Sequence, residues 1–259
     1  MEDVRFMPGK PLPLGATVTA DGVNFSVFTR NGTAVILELF RSPDDAEPFC
    51  SYPLDSRVNR TGDVWHVAVS GLGKDALYLY RVDGPFRPNE GLRFNVHKYL
   101  IDPYAKALTA HSVFINHSAQ QARPPHTDAD LAYNTAHTAA GFPKCVVVDD
   151  GDFDWQGDRP INYPLRYSVL YEAHVRGLSV HPSSRRPHAG TYRGVIESIP
   201  YLKDLGITSL ELLPINEFDE NENPRSNPRT GERLKNYWGN STIAIVAPFL
   251  AIESVFLAS

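Results

Sequence analysis

A chain of 259 residues with 42% hydrophobic content is long enough for one large domain or two medium ones, each burying a core of its own. Its net charge of -5 arises from interspersed acidic and basic residues, so no single-sign field exists to draw in polyanions, which argues against nucleic acid as a partner. Only Cys50 and Cys145 are present, too few for a disulfide framework, and Met1 to Pro13 lack the apolar run of a leader; the expected setting is the reducing cytoplasm.

From Val23 to Val82 the pattern is that of strands. Val23, Phe25 and Val27 alternate with Asn24 and Ser26, and Val35, Leu37 and Leu39 alternate in a second run. Asn31-Gly32 lies between the two, a dipeptide that readily takes positive φ at both central turn positions, and predicts a hairpin. Further strands are expected at Val64 to Val69 and Leu77 to Val82, separated by Gly71-Leu72-Gly73 and closed by Asp83-Gly84-Pro85. Short, evenly spaced strands without a long helix predict an immunoglobulin-like antiparallel β-sandwich over residues 1–110.

Residues 111–143 are poor in periodic apolar positions, and the stretch 111–164 is expected to connect two units. Near their end, Cys145 to Val148 followed by Asp149-Asp150-Gly151-Asp152 predicts one more short strand ending in a turn. After Pro164 the character changes. Ser168 to Tyr171 is a buried-strand run, Val195, Ile199, Leu202 and Leu205 recur at helical spacing, and Ile207 to Leu213 is a second strand. Ser198 and Pro200 suit the start of the helix and Gly206 its end. Strand, helix and strand make a βαβ unit, which requires parallel strands and a right-handed crossover. The apolar run from Ile243 to Ala258 is interrupted by Pro248 and Glu253 and falls short of the ~20 residues of a bilayer span, so no membrane segment is expected.

The stretches Tyr171-Glu172-Ala173-His174-Val175-Arg176-Gly177, Gly190 to Gly194, Ile199 to Thr208, Glu211 to Phe218 and Asn236-Tyr237-Trp238-Gly239 resemble, in order and spacing, the opening of the catalytic barrel in bacterial glycogen-debranching enzymes of the isoamylase type. Upstream, Tyr80 to Pro85, Leu100 to Ala107 and Asp152-Phe153-Asp154-Trp155 resemble the sandwich and connector of the same proteins. The resemblance extends from about Pro8 to Pro248. It implies a carbohydrate-binding-type sandwich followed, over 165–259, by the first βαβ unit of a (β/α)8 barrel of the α-amylase superfamily. It also implies hydrolysis of α-1,6 branch linkages in glycogen or limit dextrin, without a cofactor.

In that superfamily a retaining double displacement uses an Asp nucleophile, a Glu acid and a further Asp, with two carboxyl groups held ~5 Å apart on rigid strand ends. By resemblance these residues lie beyond Pro248, so no catalytic residue is assigned and the chain alone is expected to lack turnover. The ending from Leu250 to Ser259 departs from the family pattern, as a frameshift or premature stop would make it, so the expected form is a truncated one. A non-catalytic glucan-binding module and a nonfunctional gene remnant remain as alternatives.

Tyr237 is the main binding candidate, with Trp238 beside it, because the resemblance implies that this tyrosine stacks on sugar and flat aromatic faces suit the apolar face of a pyranose. Glu211 and Glu217, in and after a parallel strand, form a tempting carboxylate pair, but a solvated or ion-paired role is preferred. Trp65, Tyr78 and Tyr80 offer either a sugar platform or core packing, and packing is preferred. His174, His181 and His188 recur every seven residues without a second ligand cluster, so no metal is expected. Gly71-Leu72-Gly73-Lys74 lacks the strand, spacing and hydroxyl of a phosphate loop. The expected partner is glycogen or another branched α-glucan.

Overall fold

The computed structural model describes residues 4–109, 133, 135, 139, 142–223 and 225–248. Much of the expected connector, and all of the unusual ending at 250–259, lie outside these residues. The chain runs through β1 (Arg5–Pro8), β2 (Gly15–Thr19), β3 (Gly22–Phe28), β4 (Ala34–Phe40), β5 (Cys50–Pro53), β6 (Arg60–Thr61), β7 (Val64–Ser70), β8 (Leu77–Asp83), β9 (Phe86–Arg87), β10 (Leu92–Arg93), β11 (Ala107–Leu108) and β12 (Cys145–Val146). After these come β13 (Leu170–Ala173), the short helix α1 (Val175–Ser179), the longer helix α2 (Tyr192–Asp204) and β14 (Ser209–Leu212).

Two antiparallel five-stranded sheets make a sandwich. One has the order β1-β7-β3-β2, with β6 also on β7, and the other β11-β12-β8-β4-β5. Period-two alternation places Val23, Phe25 and Val27 of β3 and Trp65, Val67 and Val69 of β7 in the core. Val35, Leu37 and Leu39 of β4 and Tyr78, Tyr80 and Val82 of β8 are buried in the same cluster. Trp65, Tyr78 and Tyr80 are therefore core residues, and Phe25 meets Tyr78 edge-on at 5.0 Å between ring centres.

Asn31-Gly32 does not close a hairpin. β3 pairs with β2 and β7 whereas β4 pairs with β5 and β8, so the dipeptide crosses from one sheet to the other. Neither residue has positive φ, and the two ends of the connection are held by different sheets: Thr29 N–H donates to Asp63 O, and Thr33 N–H to Asp83 O. Gly32 is required for another reason, since a Cβ there would lie 2.7 Å from Thr29 Oγ1. Gly71-Leu72-Gly73 likewise carries the chain between sheets, from β7 to β8.

The outer faces explain the buried polar residues. On β3, Asn24 exchanges two hydrogen bonds with the backbone of Lys10 and Ser26 donates to Pro11 O, so the N-terminal segment covers that face with its polar groups satisfied. On β4, Glu38 is fully buried but paired with Arg81 of the neighbouring β8 and with Ser51 of β5. Strand β12 comes from the stretch expected to be a connector, yet it is hydrogen-bonded to β8 and β11. Beyond it, Val147 exchanges backbone bonds with Asp75 and Ala76.

The second part contains β13 and β14, paired in parallel, with Leu170 opposite Ser209 and Ala173 opposite Leu212. Helix α2 connects them, which completes the expected βαβ unit. Its start differs from expectation. Thr191 is the N-cap, its hydroxyl accepting the Gly194 N–H, while Ser198 and Pro200 lie in the interior. Tyr192 of the first turn already packs against the core of this unit, and Gly194 makes a close approach where a Cβ would lie 2.4 Å from His188 O. Gly206, at φ +87, ends the helix as expected. Val175, Val195 and Phe218 form a small core under this unit. Ala244 and Ala247 pack instead into the sandwich core, where Ile245 N–H donates to Pro103 O. Among the described residues, no helix is long and apolar enough to cross a membrane.

Candidate functional site

The carboxyl ends of the parallel strands are where open and closed α/β sheets keep their binding groups, because the loops that follow can vary while the strands stay rigid. Here β13 ends at Ala173, and the next residue, His174, is the N-cap of α1. Its Nδ1 accepts the Gly177 N–H at 3.1 Å, and its Nε2 lies 3.0 Å from Tyr237 O. Since Nδ1 must be an acceptor and a carbonyl can only accept, the ring is neutral with its proton on Nε2. Burial, offset in part by the bond to Tyr237 and reinforced by the nearby Arg176 charge, holds the His174 pKa below its usual 6.5.

The ring of Tyr237 stacks on that of His174, with centres 4.5 Å apart and planes 20° from parallel. Trp238 stands nearly perpendicular to both, 5.3 Å from Tyr237 and 5.8 Å from His174. Tyr237 is 37% exposed and Trp238 56%, so the cluster has a supported back and an open front. The turn that presents it is set by Asn236, whose Oδ1 accepts the backbone N–H groups of Trp238 and Gly239 while its Nδ2 donates to Glu222. Gly239, at φ +71, sits where a Cβ would fall 2.7 Å from the Phe218 ring. Gly177 plays a matching part, because a Cβ there would be 3.0 Å from the Tyr237 hydroxyl. Arg176 and Lys235 both pair with the buried Glu220, which ties α1 to the segment carrying Tyr237.

The structure places His174 against Tyr237 and Trp238, the two residues expected to bind. The seven-residue histidine spacing obscured that position, although its place directly after a strand is the signal that marks it. His181 bonds Ser183 and His188 pairs with Glu197, so the three histidines do not converge; among the described residues no cluster of metal-ligating type exists. Glu211 is exposed on β14, while Glu217 is fully buried in a segment whose backbone pairs with Ala247 and Ile243. The two do not form a matched pair of surface acids.

Comparison with known proteins bears on both halves. Residues 13–105 match carbohydrate-binding module 48, the isoamylase N-terminal domain. The chain carries a module of that family. Isoamylase 1 (chloroplastic) of Oryza sativa subsp. japonica is 38% identical over 253 residues, 96% of this chain and 29% of the relative. The glycogen debranching enzyme of Yersinia enterocolitica is 42% identical over 242 residues, 91% of this chain and 33% of the relative. The chain spans about a third of the length of these curated relatives, and its likeness to them continues through the module into the βαβ unit. The GBS pullulanase SAP, solved in complex with maltotetraose, shares the fold with a TM-score of 0.59 at 23% identity, covering 91% of this chain and 28% of that one.

Proposed function

We propose that the chain is the amino-terminal, glucan-holding part of an isoamylase-type enzyme that acts on α-1,6 branch linkages of glycogen or its limit dextrins. The observation that carries this is the Tyr237–His174 stack at the carboxyl ends of β13 and β14, within a chain similar over most of its length to debranching enzymes. A tyrosine ring backed by a neutral imidazole offers a flat face to the C–H side of a glucosyl unit, with Trp238 as a side wall. The sandwich, residues 1–110 together with β12, is the carbohydrate-binding-type part, and 165–259 is the start of the barrel. The free thiols Cys50 and Cys145 support a reducing compartment such as the cytoplasm.

Retaining hydrolysis needs two carboxyl groups ~5 Å apart across the scissile bond. Exposed Glu211 and buried Glu217 do not supply that arrangement, so the chain is proposed to hold glucan without cutting it. Native electrophoresis through a glycogen-containing gel tests the holding role: the expected result is slowed migration relative to a glycogen-free gel, and unretarded migration overturns it. Incubation with branched glucan should release no reducing ends above background, and a rate well above background would overturn the non-catalytic part.

A further inference from the structure

A second aromatic pair shares no residue with the Tyr237 cluster. Phe153 is 63% exposed and Trp155 66%, and their rings meet edge-on with centres 4.8 Å apart. They line an open cleft of about 660 Å³ together with Val148, Asp149 and Asp150. That volume falls in the range of small-molecule sites.

The display is built into the backbone. Asp149 accepts the Gly151 N–H and caps the 3-10 turn that leads to Phe153. Asp154 accepts the Gln156 N–H, and Asp158 N–H donates to Trp155 O across a turn in which Gln156 and Gly157 both have positive φ. The indole therefore stands on a hydrogen-bonded turn.

We infer that Phe153 and Trp155 form a second α-glucan site, in which the ring corner stacks on glucosyl units and the acids at the rim accept their hydroxyl protons. The chemistry selects this ligand. Asp149 and Asp150 oppose anions, and Lys106 pairs with Asp150, which leaves carboxylate acceptors at the rim of an apolar floor. A neutral polyol with one apolar face fits both features. The inference rests on the proposed glucan-holding role, and it gives the chain two separate contacts for one branched polymer, with the avidity that follows.

Titration calorimetry of the full chain with maltoheptaose tests it. Trp155→Ala and Phe153→Ala are each expected to weaken binding by about tenfold, equivalent to about 1.4 kcal/mol, while a detectable second class of sites persists. Because both side chains are largely exposed, far-ultraviolet circular dichroism and the unfolding midpoint should stay close to those of the unaltered chain, and Trp155→Phe should restore most of the affinity. If Tyr237→Ala abolishes all binding while Trp155→Ala changes nothing, the inference falls and the glucan-holding role stands. If the unaltered chain binds no maltoheptaose and is not retarded by glycogen, both fall. Concentration-dependent self-association that Trp155→Ala abolishes, without any effect on maltoheptaose binding, would assign the rings to a protein contact and overturn the inference.

Discussion

Asp102 illustrates how a single buried carboxyl sets a pH response. Its side chain accepts the Tyr78 hydroxyl at 2.9 Å and the Tyr104 N–H at 2.8 Å, and both bonds favour the charged form. Burial outweighs them and pushes the group up from 3.8 to about 6. The folded state therefore binds this proton more tightly than the unfolded state does. Its contribution to stability is fully present below the unfolded value and is lost as the pH rises through about 6. Two units correspond to roughly 2–3 kcal/mol. The unfolding free energy of the unaltered chain, measured relative to Asp102→Asn by urea titration, should fall by on the order of 2 kcal/mol between about pH 4 and pH 7.5. A difference independent of pH would assign the effect to another group. At this scale the sequence was informative about residue type and less so about environment. Alternation showed that some of Trp65, Tyr78 and Tyr80 must face inward, but the partner of the Tyr78 hydroxyl lies twenty-four positions away and belongs to no local pattern.

At the scale of elements, strand positions were legible and strand partners were not. Alternation located β3, β4, β7 and β8 to within a residue or two, because one face of each must meet the core. The Asn31-Gly32 turn failed as a hairpin signal because pairing is decided by which sheet each strand joins, and a sandwich connection that changes sheets needs close packing at Gly32, with ordinary φ. Helix α2 shows a related limit. Proline fits a first turn, but it is also tolerated inside a helix whose buried side is fixed by Val195, Ser198 and Leu202. The cap assignment yields a direct prediction. Thr191→Ala removes the acceptor for Gly194 N–H and should cost about 1 kcal/mol, whereas Ser198→Ala, which loses only a bond back to the Gly194 carbonyl, should change stability by less than about 0.5 kcal/mol. Denaturation followed by far-ultraviolet circular dichroism checks both. A larger loss at Ser198 than at Thr191 would contradict the start of the helix at Tyr192.

For the molecule as a whole, the two parts are unequally buried. The sandwich core is closed from both sides, while the βαβ unit exposes Leu170 on β13 and Ile196, Ile199 and Tyr201 on α2, and its buried cluster among the described residues is the small one of Val175, Val195 and Phe218. Stability should therefore reside in the sandwich, and its extent in sequence decides where the chain can be cut. A fragment of residues 1–110 keeps most of the strands, but it loses β12, through which β11 is joined to β8. With β12 go the fully buried Cys145 and Val147, and the Val147 backbone bonds to Asp75 and Ala76. Burying each apolar side chain is worth about 1.5–3 kcal/mol. A fragment of residues 1–150 is accordingly expected to unfold cooperatively in urea and to exceed the 1–110 fragment in stability by at least about 3 kcal/mol. Among the described residues, cutting at 150 takes from the sandwich core the contacts of Ala244, Ala247 and their neighbour Ile243, side chains mostly too small to anchor it. Equal midpoints for the two fragments would show that β12 is a bystander at the sheet edge. A 1–150 fragment without a cooperative transition would place the missing stability in the βαβ unit instead.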